Sequence, residues 1–136
     1  MYHPDENVQD IIDLAFDNNR KLTQADTSII LSNLENLPIR DEILCLALDD
    51  TDEAFHLAQF IQEYALDAPN GYRANPSIMS SIINYVHGDY DRAYLFYSLA
   101  LLDDESNNLA RLFGKIVEIG TPPNKVKELI SMAVNG

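Results

Sequence analysis

The sequence predicts an all-α fold, a bundle or stack of about eight short helices. Two observations carry this. Apolar residues recur at steps of three and four along nearly the whole chain, and the breaks between these runs hold Asn, Asp, Thr, Gly and Pro, the residues that start and stop helices. The single Asn70-Gly71 pair, the usual hairpin signal, lies between two helical patterns and not between two alternating strands.

The first helix is expected after Pro4, with Val8, Ile11, Ile12, Ala15, Phe16 and Asn19 on one face. Its other face carries Glu6, Asp10, Asp13 and Asp17, a row of four carboxylates, and Arg20 and Lys21 stand at the end where cations suit the helix dipole. Thr23 is the expected cap of a second helix, with Asp26 in its first turn and Ile29, Ile30, Leu34 and Leu37 inward. Pro38 opens a third, apolar at Ile39, Ile43, Leu44, Leu46, Ala47 and Leu48. Thr51 caps a fourth, whose stripe is Ala54, Phe55, Leu57, Ala58, Ile61, Tyr64 and Ala65. Pro69 ends it, because the residue before a proline avoids helix, and residues 69–74 form an irregular loop.

Residues 75–104 read as a helical hairpin around which the chain is organised. Asn75 is the expected cap of its first helix, with Pro76 in the first turn, and His87-Gly88 closes it. Asp89 caps the second helix. From Tyr90 to Leu102 only Asp91, Arg92 and Ser98 are polar, which predicts a helix inside the fold, with Ala93 and Ala100 buried where helices cross. Ser106 starts a seventh helix through Leu109, Leu112, Phe113, Ile116 and Val117, closed by Gly120. Thr121 with Pro122-Pro123 starts the last, through Val126, Leu129, Ile130 and Ala133.

A chain of 136 residues, 46% hydrophobic, is expected to form one domain over residues 1–136, with acidic helices in 1–36. Net charge is −13 and is unevenly placed: residues 1–67 hold 15 Asp and Glu against 3 Lys and Arg, residues 68–136 hold 7 against 6. Such a surface disfavours nucleic acid and anionic membrane as direct ligands, since both are polyanions. With no apolar run of spanning length and no basic-apolar leader, the expected location is cytoplasmic. Cys45, the one cysteine, lies in an apolar run and is expected to be a buried core thiol.

No residues stand out as catalytic, cofactor-binding or metal-binding. His3, His56 and His87 lack zinc-ligand spacing, and residues 49–53 and 103–105 lack the glycine and glutamate of a calcium loop. The serines form no nucleophile elbow, and no glycine-rich phosphate loop is present.

The run GDYDRAYLFYSLALLDD resembles the second half of a tetratricopeptide repeat, with Ala93, Tyr97 and Ala100 as the small, aromatic and small residues of that motif. Ser77, Ser80 and Asn84 stand where such repeats carry large apolar residues. A longer likeness covers roughly residues 31–134. It runs through Arg40-Asp41, Ala68-Pro69, Tyr72-Arg73-Ala74, Gly88-Asp89, Ala93, Leu99-Ala100, Leu109-Ala110-Arg111-Leu112 and Gly120-Thr121-Pro122-Pro123. That order is similar to the C-terminal helical half of an actinobacterial domain-of-unknown-function family, number 4192, whose members include bacterial and phage proteins. The likeness places residues 37–136 in the family-like region and implies the fold, with no activity attached to it.

The function expected from these readings is a non-catalytic helical protein–protein interaction module. Its candidate partner-binding residues are Glu6, Asp10, Asp13 and Asp17 on the acidic row and Tyr72 and Arg73 on the loop, and the expected partner is a basic protein. Two alternatives stand beside it: an acidic phage-type protein that imitates nucleic acid to occupy a basic host DNA-binding protein, and a hydrolase whose site assembles only in three dimensions. Tyr90, Tyr94 and Tyr97 also suggest a homodimer.

Overall fold

The computed structural model describes residues 9, 11, 13, 30 and 33–135. Among them are six α-helices and no strand: α1 (Leu37–Ala47), α2 (Asp52–Asp67), α3 (Ala74–Val86), α4 (Tyr90–Asp103), α5 (Asn108–Glu118) and α6 (Pro123–Asn135). The expected first helix and most of the second lie outside the described residues. Ile11, Ile30 and Leu34 from that part of the chain are buried in the same core as α1 to α6.

Local chemistry explains where the helices begin and end. Asn36 accepts from the Ile39 amide ahead of α1, Thr51 from Ala54 ahead of α2, and Asp89 from Arg92 ahead of α4. Ala68, held extended by the proline that follows it, terminates α2. Gly88 and Gly120, with φ of 84° and 80°, end α3 and α5 in the same way. In each, the glycine amide reaches back three residues and the next amide five, to Tyr85 and Asn84 in one case and to Val117 and Ile116 in the other.

Two starts differ from the sequence reading. Asn107, not Ser106, caps α5 by accepting from the Ala110 amide, while Ser106 bonds Asp104 within the turn. Asn75 caps nothing: α3 begins at Ala74, behind Arg73, which offers no side-chain cap. The cap comes instead from the far end of α4, where the Asp103 carboxylate accepts from the amides of Gly71, Arg73 and Ala74 at 2.5, 2.9 and 2.9 Å. A carboxylate at a helix N-terminus also suits the dipole there. The hairpin is thereby closed at both ends.

The buried member of the hairpin is α3 and not α4. Eleven consecutive residues, Ala74 to Asn84, are buried, and α3 touches each of the other five helices. Helix α4 buries only Ala93, Phe96 and Ala100 and leaves Leu102 84% exposed. Much of its apolar composition therefore lies at the surface. Small residues decide the exchange: Ala74, Ser77, Ser80 and Ser81 let neighbouring helices come close on every side, whereas the tyrosines and leucines of α4 fit against one side only. Ala93 and Ala100 are buried as expected. Leu37, Phe55, Leu112 and Val117, read as inward, are substantially exposed instead.

Burying α3 requires its polar side chains to find partners. Ser80 and Asn84 bond back to the carbonyls of Pro76 and Ser80, Asn84 also bonds Gln62 of α2, and Ser81 donates to the Ala93 carbonyl of α4. Asn75 is the busiest. Its amide oxygen accepts from Arg40 Nη1 and Asn107 Nδ2 at 3.0 and 2.9 Å, and its nitrogen donates to the Leu34 carbonyl and to Glu35. Arg40 itself is buried, and its remaining fork is taken by Asp41. One amide thus joins α1, α3, the α5 cap and the segment before α1.

Asn75→Ala is expected to strand Arg40 Nη1, Asn107 Nδ2 and the Leu34 carbonyl together. Urea denaturation should show a loss of about 2–4 kcal/mol, larger than any single exposed substitution on α4.

Tyr64 is buried with no partner for its hydroxyl among the described residues, and burial, aided by the charge of Glu35, pushes its pKa up to about 12. The folded state then holds the phenolic proton more tightly than the unfolded chain, so stability present below pH 10 falls as pH rises toward 12. Tyr64→Phe should remove that alkaline loss and leave neutral-pH stability unchanged or raised by up to about 1 kcal/mol, as measured by melts across alkaline pH.

Candidate aromatic groove

Helix α4 leans on α3 and α5, and a groove of about 570 Å³ opens where the three meet. Tyr85 comes from α3, Tyr90, Tyr94 and Tyr97 from α4, and Phe113, Gly114, Val117 and Glu118 from α5, with Ser81 and Ala93 on the floor. The α4 tyrosines share a face because they stand four and three residues apart. Tyr90 and Tyr94 are 54% and 73% exposed, while Tyr97 reaches further in.

The rings are turned across one another. Tyr85 lies 5.2 Å from Tyr90 at 57° and 5.5 Å from Phe113 at 84°, and Tyr97 lies 6.3 Å from Phe113 at 65°. The Tyr85 hydroxyl donates to the Thr121 carbonyl at 2.6 Å, which ties α3 to the turn before α6 and fixes that wall. Burial, with the neighbouring Tyr90 hydroxyl adding to it, pushes the Tyr85 phenol upward, so this ring stays neutral at ordinary pH. Gly114 matters here for want of a side chain: a Cβ at this position would collide with the Tyr97 hydroxyl.

Of the candidate residues from the sequence, the described ones, Asp13, Tyr72 and Arg73, do not line this groove. Asp13 is exposed on a helical turn, where it accepts from Gln9 at 2.9 Å; Glu6, Asp10 and Asp17 lie outside the described residues. Tyr72 is exposed on the loop before α3. Arg73 is half-buried, and its guanidinium donates twice to the Ala68 carbonyl, at 3.0 and 2.7 Å, completing the end of α2. The arginine is thus held by the fold. Cys45 is half-buried against the core and is not enclosed; burial raises its pKa despite a hydrogen bond with Ser131.

A second cleft, of about 780 Å³, lies on the opposite flank of α4 against α2, with Phe55, Leu66 and Leu95 beside Glu63, His87, Asp89 and Arg92. Arg92 is spanned by Asp89 at 3.9 Å, and both are exposed. Among the described residues no cluster of histidine, cysteine and carboxylate side chains has the geometry to hold a metal ion, and no helix is long and apolar enough to cross a membrane.

No family model, curated protein or solved structure matches the chain. Its functional reading therefore rests on the groove itself. Sequence reasoning singled out Tyr90, Tyr94 and Tyr97 as surplus aromatic surface, but missed Tyr85, Phe113, Val117 and Glu118. Only the crossing of α3 and α5 beneath α4 brings those four to the same place.

Gly114→Ala is expected to push the Tyr97 hydroxyl outward and narrow the groove. Because alanine favours helix over glycine by about 1 kcal/mol, the melting temperature should hold or rise while the Tyr97 ring resonances shift.

Proposed function

We propose that the protein is a non-catalytic helical interaction module that takes a basic polypeptide segment in the groove between α3, α4 and α5. The observation that carries this reading is the exposure of Tyr90 and Tyr94 over an apolar groove of about 570 Å³. Exposed aromatic side chains at the lip of a formed groove are costly to leave in water and are the residues that most often anchor a partner. The acidic first half of the chain supports a basic partner, because its net charge of −12 over residues 1–67 draws such a chain in from a distance. Under the same reading the chain is a relative of the helical half of the domain-of-unknown-function family named above.

Selection of a random displayed peptide library on the wild-type protein and on a Tyr90→Ala/Tyr94→Ala double variant tests this. Both tyrosines are exposed, so the variant should keep its helical circular dichroism. Wild type should enrich Lys- and Arg-rich peptides, the variant should not, and enrichment should fade as salt rises. Recovery of the same peptides by both proteins, or of peptides without basic character, overturns the reading.

A further inference from the structure

We propose that Asn70 is a site of spontaneous modification, deamidation to aspartate and isoaspartate, and that the Asp103 carboxylate holds this reaction in check. Asn70 and Gly71 sit on the loop between α2 and α3, and both are exposed. In deamidation the backbone nitrogen of the following residue attacks the asparagine Cγ. A C–N bond forms, that nitrogen gives up its proton, and the side-chain nitrogen leaves as ammonia. Water then opens the five-membered imide at either carbonyl, which gives aspartate or isoaspartate. Glycine obstructs the attack least, having no side chain. Apart from its two chain neighbours, no atom lies within 4 Å of where a Cβ on Gly71 would stand.

The turn holds the reacting atoms apart. The Tyr72 amide donates to the Pro69 carbonyl at 3.1 Å, so Asn70 and Gly71 are the central residues of a β-turn. Gly71 has φ of 91°, and among the described residues only glycines have positive φ. That combination is a type II turn, in which the first central residue has ψ of about +120°. Ring closure needs the Gly71 nitrogen eclipsed with the Asn70 Cβ. From a tetrahedral Cα, that position is about a third of a turn away.

Asp103 acts on the same peptide group. Its carboxylate accepts from the Gly71 amide as well as from those of Arg73 and Ala74. Rotation about the Asn70 Cα–C bond would swing the Gly71 N–H off the carboxylate. Loss of the Gly71 proton would set a second negative charge against the first. Both raise the barrier to cyclisation. Once formed, isoaspartate carries the chain through its Cβ and inserts one carbon ahead of Gly71. The three amides then lose their register with Asp103, and α3 loses its cap.

The test is a time course of the full chain at mildly alkaline pH, kept below the melting temperature of every variant. Mass spectrometry of the fragment spanning Asn70 reads deamidation, and labelling by an isoaspartyl methyltransferase reads isoaspartate. A synthetic peptide of residues 66–74 supplies the rate of the unrestrained chain. Wild type should react about tenfold or more slowly than the peptide, the factor a hydrogen bond to a charged group is worth. Asp103→Ala should bring the rate close to that of the peptide, while wild type in enough urea to match its stability should stay slow. Asn70→Ser should abolish the mass change at this fragment, and isolated isoaspartyl protein should melt below unreacted protein. A peptide that does not react overturns Asn70 as the site. Wild type as fast as the peptide overturns the protection. An Asp103→Ala rate equal to or below that of wild type, or matched by wild type in urea, overturns the role of Asp103.

Discussion

Eleven consecutive buried residues in α3 leave that helix without water for its polar side chains, and the packing of its neighbours answers that constraint. A buried donor or acceptor left alone costs about 1–3 kcal/mol, so five polar residues in one enclosed helix present a serious debt unless nearly all are bonded. Four are, and among the described residues the Ser77 hydroxyl has no partner. Asn75 sets the geometry most tightly, because an amide oxygen shared by Arg40 and Asn107 and a nitrogen aimed at Leu34 and Glu35 admit one arrangement of four chain segments. Asp103 then fastens α4 to the beginning of α3 through three backbone amides.

The same constraint creates the groove. With α3 enclosed on all sides, α4 is left on the outside of the bundle, covering α3 with Ala93, Phe96 and Ala100 and turning its larger residues outward. Tyr90 and Tyr94 stand on one flank and Leu95 on the other, so both clefts run beside α4. A helix that is apolar on nearly every face but buried on only one has surface to spare for a partner. The excess of acidic residues lies in the first half of the chain, whereas the tyrosines of α4 lie in the second.

Much of the fold is legible residue by residue. Thr51, Asp89, Gly88 and Gly120 act where they were expected, because a cap or a left-handed turn is decided by the few residues that form it. The all-helical class follows from periodicity for the same reason. Phe55, Leu112 and Val117 belong to the correct stripes and yet are exposed, since periodicity gives a face to each helix but not the width of its neighbour. Arg73 was visible as a residue of interest, but its role at the Ala68 carbonyl depends on how the loop folds back.

What the sequence alone determined is the set of helices it punctuates, the acidity of its first half and the surplus of tyrosine on α4. What only the tertiary structure decided is which helix lies at the centre. Hydrophobicity pointed to α4, but close packing on every side selects small side chains, and α3 has them. Its serines and asparagines look like surface residues until their partners are seen: Gln62 and Ala93 on neighbouring helices, and for Asn75 the residues Leu34, Glu35, Arg40 and Asn107, up to 41 positions away. A polar side chain carries no mark of whether water or a distant carbonyl will satisfy it, and that choice is made when the helices meet.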